Sequence, residues 1–166
     1  GTAALEYKYD GLRVQAHVSP KKIELYSRHL ENTTGQFPEI VEGLRGGIRG
    51  QEAIVEGEAV PIDPNTGEFL PFQEVSRRRG RKIEVDRMAK EFPVTLFAFD
   101  CLLKDGVDLT PRTYEDRRKA LESVLRPTEG IRIATVRIAD DVKLAEAFFD
   151  EALQAVTREA CLLMHG

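Results

Sequence analysis

Apolar and polar residues alternate along much of the first half of the chain, which is the pattern of half-buried β-strands. The segments 13–19 and 23–28 alternate in this way on either side of the turn-forming stretch Ser-Pro-Lys-Lys, and together they predict a β-hairpin. A third strand is expected at 53–62, which carries two acids. A fourth is expected at 93–103, an apolar run rich in β-forming residues.

Two helices are predicted by the residues at their ends. The first runs from Pro38 to the pair Gly46 and Gly47, because proline suits the first helical position and glycine suits the end. The second begins at Thr113, since Thr113 and Asp116 have the spacing of a capping box.

The chain after residue 130 predicts a strand at 131–139, then a helix, then a short strand at 160–164. Asp140 is the expected N-cap of this helix, whose apolar residues recur at every fourth position. These residues are Leu144, Phe148, Ala152 and Val156. Strand hairpins with helices between and beside them predict an α+β fold with mainly antiparallel sheets.

The size and composition fit one globular domain. The 166 residues can bury a sizeable core, and no apolar run is long enough to span a bilayer. Only two cysteines are present, Cys101 and Cys161, which makes a disulfide framework unexpected and favours a reducing compartment. A cytoplasmic protein is expected, or a nuclear one if the source is a eukaryote, with no membrane partner.

A local cluster of cations contrasts with the net charge of −4, which argues against a nucleic-acid-binding surface over the whole domain. Arg77, Arg78, Arg79 and Arg81 are followed by Lys82. Guanidinium groups suit bidentate contacts with phosphates, so the four arginines are candidate contacts to a nucleic-acid backbone. The alternatives are ion pairs with acids on the surface, or a solvated loop.

The segment Lys-Tyr-Asp-Gly, which begins at Lys8, is the first candidate site. A lysine becomes a nucleophile when it is deprotonated, and burial or nearby cations promote that state. Gly11 would let the backbone approach a ligand closely, and Arg13 would reach an anionic group. The alternative, on spacing alone, is that Lys8 pairs with Asp10 before a turn.

Acids and an aromatic residue supply the other candidates. Glu56 and Glu58 are two positions apart on a strand and point to the same face, where a divalent metal is the simplest way to offset their repulsion. Phe99, at the end of an apolar stretch, is a candidate to stack on a nucleobase, and Glu159 precedes the last apolar stretch. The alternatives are an exposed acidic face for the two glutamates, core packing for Phe99 and a solvated strand end for Glu159.

Taken in order, these features resemble the covalent nucleotidyltransferases, and among them the ATP-dependent DNA ligases of archaeal and eukaryotic type. EYKYDGLR resembles the nucleophile motif with its core Lys-x-Asp-Gly, and YSRHLENTT resembles a stretch that contains Ser-Arg. IVEGEAV resembles the motif that contacts metal and ribose, and FAFDCLLKDGVDL the motif with the base-stacking aromatic. LPFQEVSRRRGRK and TYEDRRKALESVL are also close to what such ligases carry. The resemblance covers nearly the whole chain and implies the ATP-grasp-like nucleotidyltransferase fold.

The resemblance implies a role for each matching residue. Lys8 would attack the α-phosphate of ATP and carry AMP as a phosphoramidate. Glu6 would recognise adenine near its exocyclic amine, and Phe99 would stack on the adenine ring. Arg13 and Arg28 would hold ribose and phosphate oxygens.

ATP and Mg²⁺ (or Mn²⁺) are the cofactors that the resemblance implies. Glu58 would contact the ribose or the metal, and Glu159 matches the acid of the family's Glu-Gly motif, which is also linked to metal binding. In the full reaction, AMP passes to the 5′-phosphate of a nick in double-stranded DNA. The neighbouring 3′-hydroxyl then displaces the AMP and seals the nick.

The chain departs from the family pattern near its end. Ala160 follows Glu159 where the family has glycine, Met164 stands about where a lysine is expected, and the later Lys-x-Lys motif is missing. Residues 1–166 are therefore expected to be most of one adenylation domain, without the N-terminal DNA-binding and C-terminal oligonucleotide-binding domains. Alone, such a fragment is expected to be weakly active or inactive. The whole protein is expected to act as a monomer and to meet a sliding clamp.

Two other interpretations stay open. An RNA ligase or an mRNA-capping guanylyltransferase uses the same Lys-x-Asp-Gly chemistry, and labelling of Lys8 by ATP or by GTP separates a ligase from a capping enzyme. A non-catalytic nucleic-acid-binding module that works through residues 77–82 would not be labelled by ATP at all.

Overall fold

The computed structural model describes four ranges of the chain, with side chains through residue 154. These ranges are residues 1–49, 51–78, 84–155 and 161–165. The chain divides into two compact units. The larger unit is Gly11–Ile133, and the smaller unit combines Gly1–Asp10 with Ala134–Gly166.

Nine strands and five α-helices lie within the described ranges. The strands are β1 (Ala3–Lys8), β2 (Leu12–Val18), β3 (Ile23–Ser27), β4 (Ala53–Pro61), β5 (Val94–Lys104), β6 (Val107–Asp108), β7 (Ile131–Ile133), β8 (Val136–Ala139) and β9 (Cys161–His165). The helices are α1 (Pro38–Gly47), α2 (Gln73–Ser76), α3 (Val85–Glu91), α4 (Tyr114–Val124) and α5 (Val142–Ala155). A 3₁₀ helix spans Thr34–Gln36. None of the described helices has the length and apolar content needed to cross a bilayer.

The larger unit is built on a sheet of six strands. β3, β2, β4, β5 and β6 pair antiparallel in that order, and β7 pairs with β5 in parallel. Arg13 of β2 lies opposite Glu58 of β4 in this register. The register of β4 and β5 shifts between Glu56 and Gly57, so a β-bulge lies beside the two glutamates.

The core of the larger unit lies on one face of this sheet. Val14, Ala16 and Val18 alternate along β2 and are buried, as the hairpin prediction requires. Ile40 of α1 and Leu121 of α4 belong to the same buried cluster. Full burial of such a side chain contributes about 1.5–3 kcal/mol, so the alternating pattern fixes which face of β2 turns inward.

The smaller unit contains a three-stranded antiparallel sheet in the order β8, β1, β9. Leu5 and Phe148 form part of its core, and the Tyr7 ring stacks on the Phe148 ring with centroids 5.1 Å apart. Because Leu5 and Tyr7 pack toward α5, alternation places Glu6 and Lys8 on the opposite face of β1.

Several predicted elements are confirmed. β2 and β3 form the predicted hairpin, and α1 runs from Pro38 to Gly47 as its end residues indicate. The Thr113 side chain accepts the Asp116 backbone N–H at 3.2 Å, which makes Thr113 the N-cap of α4.

The prediction of one strand at 131–139 is wrong. β7 ends at Ile133 and β8 begins at Val136, and the two strands belong to different units. β7 pairs with β5, whereas β8 pairs with β1. The chain therefore leaves one sheet and enters another within a segment whose composition is uniformly strand-like.

The N-cap predicted for α5 is shifted by one residue. The Asp141 carboxylate accepts the Leu144 backbone N–H at 2.8 Å, so Asp141 caps the helix instead of Asp140. Either aspartate has the short acceptor side chain that an N-cap needs, and the helix starts one residue later than the sequence predicts.

The apolar face of α5 is only partly as predicted. Phe148 and Ala152 are buried, but Leu144 is 52% exposed. A repeat of four residues drifts by about 40° per step on a helix with 3.6 residues per turn, so Leu144 lies at the margin of the buried stripe. Val156 lies outside the described residues.

Gly11 lies where a side chain would strike the backbone of β4. A Cβ atom there would be 2.2 Å from the carbonyl oxygen of Ala59, so the close approach predicted for Gly11 is to a strand and not to a ligand. Gly11→Ala is expected to destabilise the chain by about 1–3 kcal/mol. Gly35→Ala, where a Cβ meets nothing within 4 Å, is the matched control. Urea unfolding measures both, and equal unfolding midpoints would contradict the clash.

Cys101 is a free, buried cysteine in the core of the larger unit. Burial raises the pKa of its thiol to about 11, so the unreactive neutral thiol persists at neutral pH. We expect iodoacetamide to alkylate Cys101 far more slowly in the folded chain than in urea. Peptide mapping by mass spectrometry measures both rates, and equal rates would show that the thiol is accessible in the fold.

Candidate functional site

Polar side chains line the face of the six-stranded sheet opposite its core. Arg13 and Gln15 alternate with the buried residues of β2, and Glu56 and Glu58 do the same on β4. Phe99 of β5 joins them, because the Arg13 guanidinium lies over its ring, 5.0 Å from the centroid. The structure therefore places three residues of the predicted nucleotide site, Arg13, Glu58 and Phe99, on one face of the sheet.

The Glu56 carboxylate is held by two neighbours on β2. Arg13 forms an ion pair with one oxygen, and the Gln15 amide donates to the other at 2.9 Å. The Glu56 side chain is only 15% exposed. The repulsion expected between Glu56 and Glu58 is thus relieved at Glu56 by the arginine of this ion pair.

Phe99 lies at a β-bulge inside β5, which continues past it to Lys104. Glu56 pairs with Asp100, and Gly57 pairs with Ala98, which leaves Phe99 as the extra residue. A bulge of this kind re-aims a side chain.

The bulge is fixed by an ion pair with α4. The Asp100 carboxylate accepts the Cys101 backbone N–H and the Arg117 Nε–H, both at 2.9 Å. Arg117 also donates to the carbonyl of Arg112 at 2.8 Å. The hydrogen bond from Arg117 to Asp100 raises the pKa of Arg117, so this guanidinium stays charged. Arg117 of α4 thus anchors Asp100, the residue that follows Phe99 in the bulge.

Arg28 is exposed in the turn that follows β3. The Ser27 hydroxyl accepts the backbone N–H groups of His29 and Glu31 at 3.3 and 3.2 Å. Leu30 in the same turn has a φ of 62°, a conformation that L-residues rarely adopt. Arg28 is therefore presented to solvent from a turn that is tightly hydrogen-bonded.

The smaller unit holds Glu6 and Lys8 at the end of β1. Glu6 is buried, and Lys8 is the exposed last residue of the strand. Within the described residues Lys8 forms no ion pair, so the alternative in which it pairs with Asp10 is not observed. The Tyr9 hydroxyl accepts the Thr135 backbone N–H at 3.3 Å, which anchors the residue after Lys8.

The predicted arginine cluster is not one surface. Arg77 is 59% exposed and pairs with Glu74 at 3.1 Å. Arg78 is only 1% exposed and forms an ion pair with Glu39 of α1. A phosphate contact predicted for Arg78 is therefore incorrect, because its guanidinium is enclosed by protein acceptors. Arg79 and Arg81 lie outside the described residues.

The metal prediction concerns Glu58 and Glu159. Among the residues that the structure describes, no group of three or more His, Cys, Asp or Glu side chains is placed to hold a metal ion. Glu58 is half-buried on the polar face of β4, and Glu159 lies outside the described residues.

The sequence motifs do not identify three further residues of this face and its bulge, Gln15, His17 and Arg117. Gln15 and His17 occupy the polar positions of the same alternation whose apolar positions predict β2, so the pattern contains the signal. Arg117 gives no such signal, because its partner Asp100 precedes it by 17 residues on a different element.

The chain matches a family model, described as ATP dependent DNA ligase domain, over residues 1–157. A DNA ligase of Thermoplasma volcanium is 40% identical over 154 residues, which are 93% of this chain and 26% of that protein. A DNA ligase of Sulfophobococcus zilligii is 46% identical over 153 residues, which are 92% of this chain and 25% of that protein. The chain thus spans about a quarter of the length of these curated relatives.

A solved structure of mycobacterial DNA ligase D complexed with ATP and MES is also similar. Its TM-score is 0.65 at 25% sequence identity, over 93% of this chain and 45% of that chain. This similarity confirms the predicted α+β nucleotidyltransferase fold.

Proposed function

The chain belongs to the ATP dependent DNA ligase domain family, and from this we propose that it is the part of a DNA ligase that binds ATP and carries AMP on Lys8. The observation that carries the proposal is the position of Lys8 within the matched residues. It is the exposed last residue of a strand, followed directly by Tyr-Asp-Gly.

Lys8 supplies the nucleophile in this proposal. Its deprotonated Nζ attacks the α-phosphorus of ATP, so that an N–P bond forms while the bond to the bridging oxygen of the departing pyrophosphate breaks. The amine gives up a proton, and the side chain then carries AMP as a phosphoramidate. An exposed lysine without an ion pair among the described residues is accessible to the nucleotide, which supports this role.

The nucleotide contacts are proposed for four residues that match the family's motifs. Phe99 stacks on adenine through its partly exposed ring, and the buried Glu6 accepts from the exocyclic amine. Arg13 and Arg28 contact ribose and phosphate oxygens, for which their guanidinium groups supply the donors. The half-exposed Arg13 guanidinium lies 5.0 Å from the centroid of the Phe99 ring, so the two residues are neighbours on the polar face of the sheet.

Mg²⁺ is proposed as the metal, with Glu58 as a protein ligand. Mg²⁺ usually binds one or two carboxylates together with substrate phosphates and water, so a single half-buried carboxylate fits this donor set. When bound, the metal would offset the negative charge of the triphosphate and of the departing pyrophosphate. Glu159 stays a proposed second ligand.

Nicked double-stranded DNA is the proposed substrate of the whole protein. AMP passes from Lys8 to the 5′-phosphate of the nick, and the 3′-hydroxyl attacks that phosphate and releases AMP. We propose Arg77, Arg79 and Arg81 as contacts to the DNA backbone, without Arg78. A monomer that meets a sliding clamp through other parts of the protein is the assembly that the resemblance implies.

The contribution of the arginine run should be visible in the salt dependence of DNA binding. Arg77→Gln together with Arg79→Gln in the full-length protein is expected to reduce the log–log slope by about 0.9 for each DNA phosphate that the variant no longer neutralises. Fluorescence anisotropy with a nicked duplex over a salt series measures this slope. A slope equal to that of the unmodified protein would assign these side chains to a solvated loop.

The alternatives receive no support from the comparisons. The matching family and the curated relatives are DNA ligases, which does not favour an RNA ligase or a capping guanylyltransferase. A non-catalytic nucleic-acid-binding module would need no lysine at the strand end.

Nick sealing by the full-length protein tests the proposal. With ATP and Mg²⁺, we expect it to join a nicked DNA duplex, with much lower yield on a nicked RNA duplex and with GTP in place of ATP. Failure to join DNA with ATP would contradict the proposed function, and preference for GTP would favour the capping chemistry.

A further inference from the structure

A line of hydrogen bonds runs along the polar face of the larger unit and ends at Arg13. The His17 ring nitrogen Nε2 lies 2.7 Å from the Gln15 side-chain oxygen. The Gln15 amide nitrogen donates to Glu56 at 2.9 Å, and the other Glu56 oxygen receives Arg13. Alternate residues of β2 supply three of these four side chains, because they share one face of the strand.

The direction of each hydrogen bond in this line follows from Glu56. An ionised carboxylate only accepts, so the Gln15 amide must turn its NH₂ group toward Glu56. The Gln15 oxygen then faces His17 and also only accepts, which requires that His17 carry its proton on Nε2. The Gln15 amide therefore has one compatible orientation, and the His17 ring must present an N–H to it.

We infer that Gln15 and His17 are positioning residues that hold Arg13 in place for the nucleotide, through Glu56. This inference rests on the proposed function, in which Arg13 contacts the nucleotide. The Arg13 side chain is 48% exposed, and a long exposed side chain of this kind otherwise samples many rotamers. Gln15 fixes one oxygen of the Glu56 carboxylate while the other oxygen binds Arg13, so the guanidinium stays over the Phe99 ring.

The far end of the line is supported by an aromatic contact. The His17 ring meets the Tyr26 ring edge-on, with centroids 5.0 Å apart and planes at 70°. The Tyr26 hydroxyl donates to Glu24 and does not belong to the line. Tyr26→Phe keeps the ring that supports His17 and removes only the hydroxyl, so it is the matched control.

Three variants and the Tyr26→Phe control test the inference in nucleotide titrations of the full-length protein. Gln15→Met keeps the length of the side chain without its amide, and His17→Phe keeps the ring without its N–H. We expect each variant to weaken ATP binding. The loss for Gln15→Met should be about tenfold, because the variant removes a hydrogen bond to a charged group. His17→Gln returns a donor and is expected to restore most of the affinity, and Tyr26→Phe is expected to bind as the unmodified protein does.

A double-mutant cycle separates positioning from a general effect on the fold. If Gln15 acts only through Arg13, Gln15→Met has little further effect on ATP affinity in an Arg13→Met background. In adduct formation, Gln15→Met should raise the KM for ATP and leave the rate at saturating ATP nearly unchanged. Additive losses of affinity, or a fall in that rate with an unchanged KM, would overturn the inference.

The Arg13 Nε–H signal in NMR spectra gives a readout that needs no nucleotide. The chemical shift of this signal is expected to change in Gln15→Met and in His17→Phe and to remain unchanged in Tyr26→Phe. An unmoved signal in the first two variants would overturn the inference by itself. A shifted signal in a protein that does not bind ATP would instead overturn the proposed function and leave the coupling of these four residues established.

Discussion

Lys8→Ala in the full-length protein is expected to abolish the covalent AMP adduct. The proposed reaction forms its N–P bond at the Lys8 amine, and alanine offers no atom that could replace it. Lys8→Arg is the sharper variant, because it keeps a long cationic side chain whose guanidinium is protonated at any accessible pH. Intact mass after incubation with ATP and Mg²⁺ measures the adduct in both variants.

A sealing assay shows whether these variants keep the rest of the site. Lys8 acts only until AMP has passed to the 5′-phosphate, so a nick that already carries AMP bypasses the missing amine. We expect Lys8→Ala to seal such a nick while it fails on an ordinary one. An adduct of undiminished yield in Lys8→Ala, attached to another residue, would exclude Lys8 as the nucleophile.

Arg78→Ala is expected to cost about 3–5 kcal/mol of folding free energy, the usual result of removing one partner from a buried ion pair. The Arg78 side chain is 1% exposed and pairs with Glu39. It also donates to the carbonyl oxygens of Gln36, Met88 and Phe92 at 3.3, 3.4 and 2.6 Å. Alanine leaves these acceptors and the carboxylate without their donor, and the loss is measured as a shift in the urea midpoint.

Arg77 supplies the control for this loss within the same short segment. Its side chain is 59% exposed and its pair with Glu74 is on the surface, so Arg77→Ala should cost no more than about 1 kcal/mol. A similar midpoint for both alanine variants would show that Arg78 is not the anchor of this segment.

The pH dependence of the Arg78→Ala loss has a defined sign. Burial raises the pKa of Glu39, and the Arg78 charge opposes that rise. Because the pKa of Glu39 lies above the ordinary carboxyl value in the folded chain, the folded state binds the proton more tightly than the unfolded state. Stability therefore falls as the pH rises from the ordinary carboxyl pKa toward the raised pKa of folded Glu39. Without Arg78 the pKa rises further, so the loss should be larger at about pH 8 than at about pH 5. A loss that does not change with pH would indicate that Glu39 finds another partner.

Local patterns account for the parts of the fold that the sequence predicts. The β2–β3 hairpin follows from alternation within one short segment, and the Thr113 cap depends on a residue three positions away. The choice between Asp140 and Asp141 as N-cap is not decided locally, since adjacent aspartates offer the same acceptor.

Partners distant in sequence account for most of what was missed. Arg78 looks like its exposed neighbour Arg77 along the chain, but its partly buried acceptor Glu39 precedes it by 39 residues. The break between β7 and β8 is decided by which sheet each strand joins, and strand propensity carries no information about that choice.

The candidate site likewise contains residues that the sequence identifies and contacts that only the fold determines. Lys8, Arg13, Glu58 and Phe99 are identified by their motifs, and the sequence gives their types and order. The hydrogen bonds of Gln15, His17 and Glu56 depend on the register of β2 against β4, which is fixed only when both strands bury their apolar faces.

Mapping the covalent adduct on the unmodified full-length protein tests the central claim most directly. The protein is incubated with ATP and Mg²⁺, and in parallel with GTP, and its peptides are sequenced by tandem mass spectrometry under conditions that preserve a phosphoramidate. We predict AMP on Lys8 after incubation with ATP and no comparable adduct with GTP. AMP on a different residue, a GMP adduct on Lys8, or no adduct at all would contradict the account.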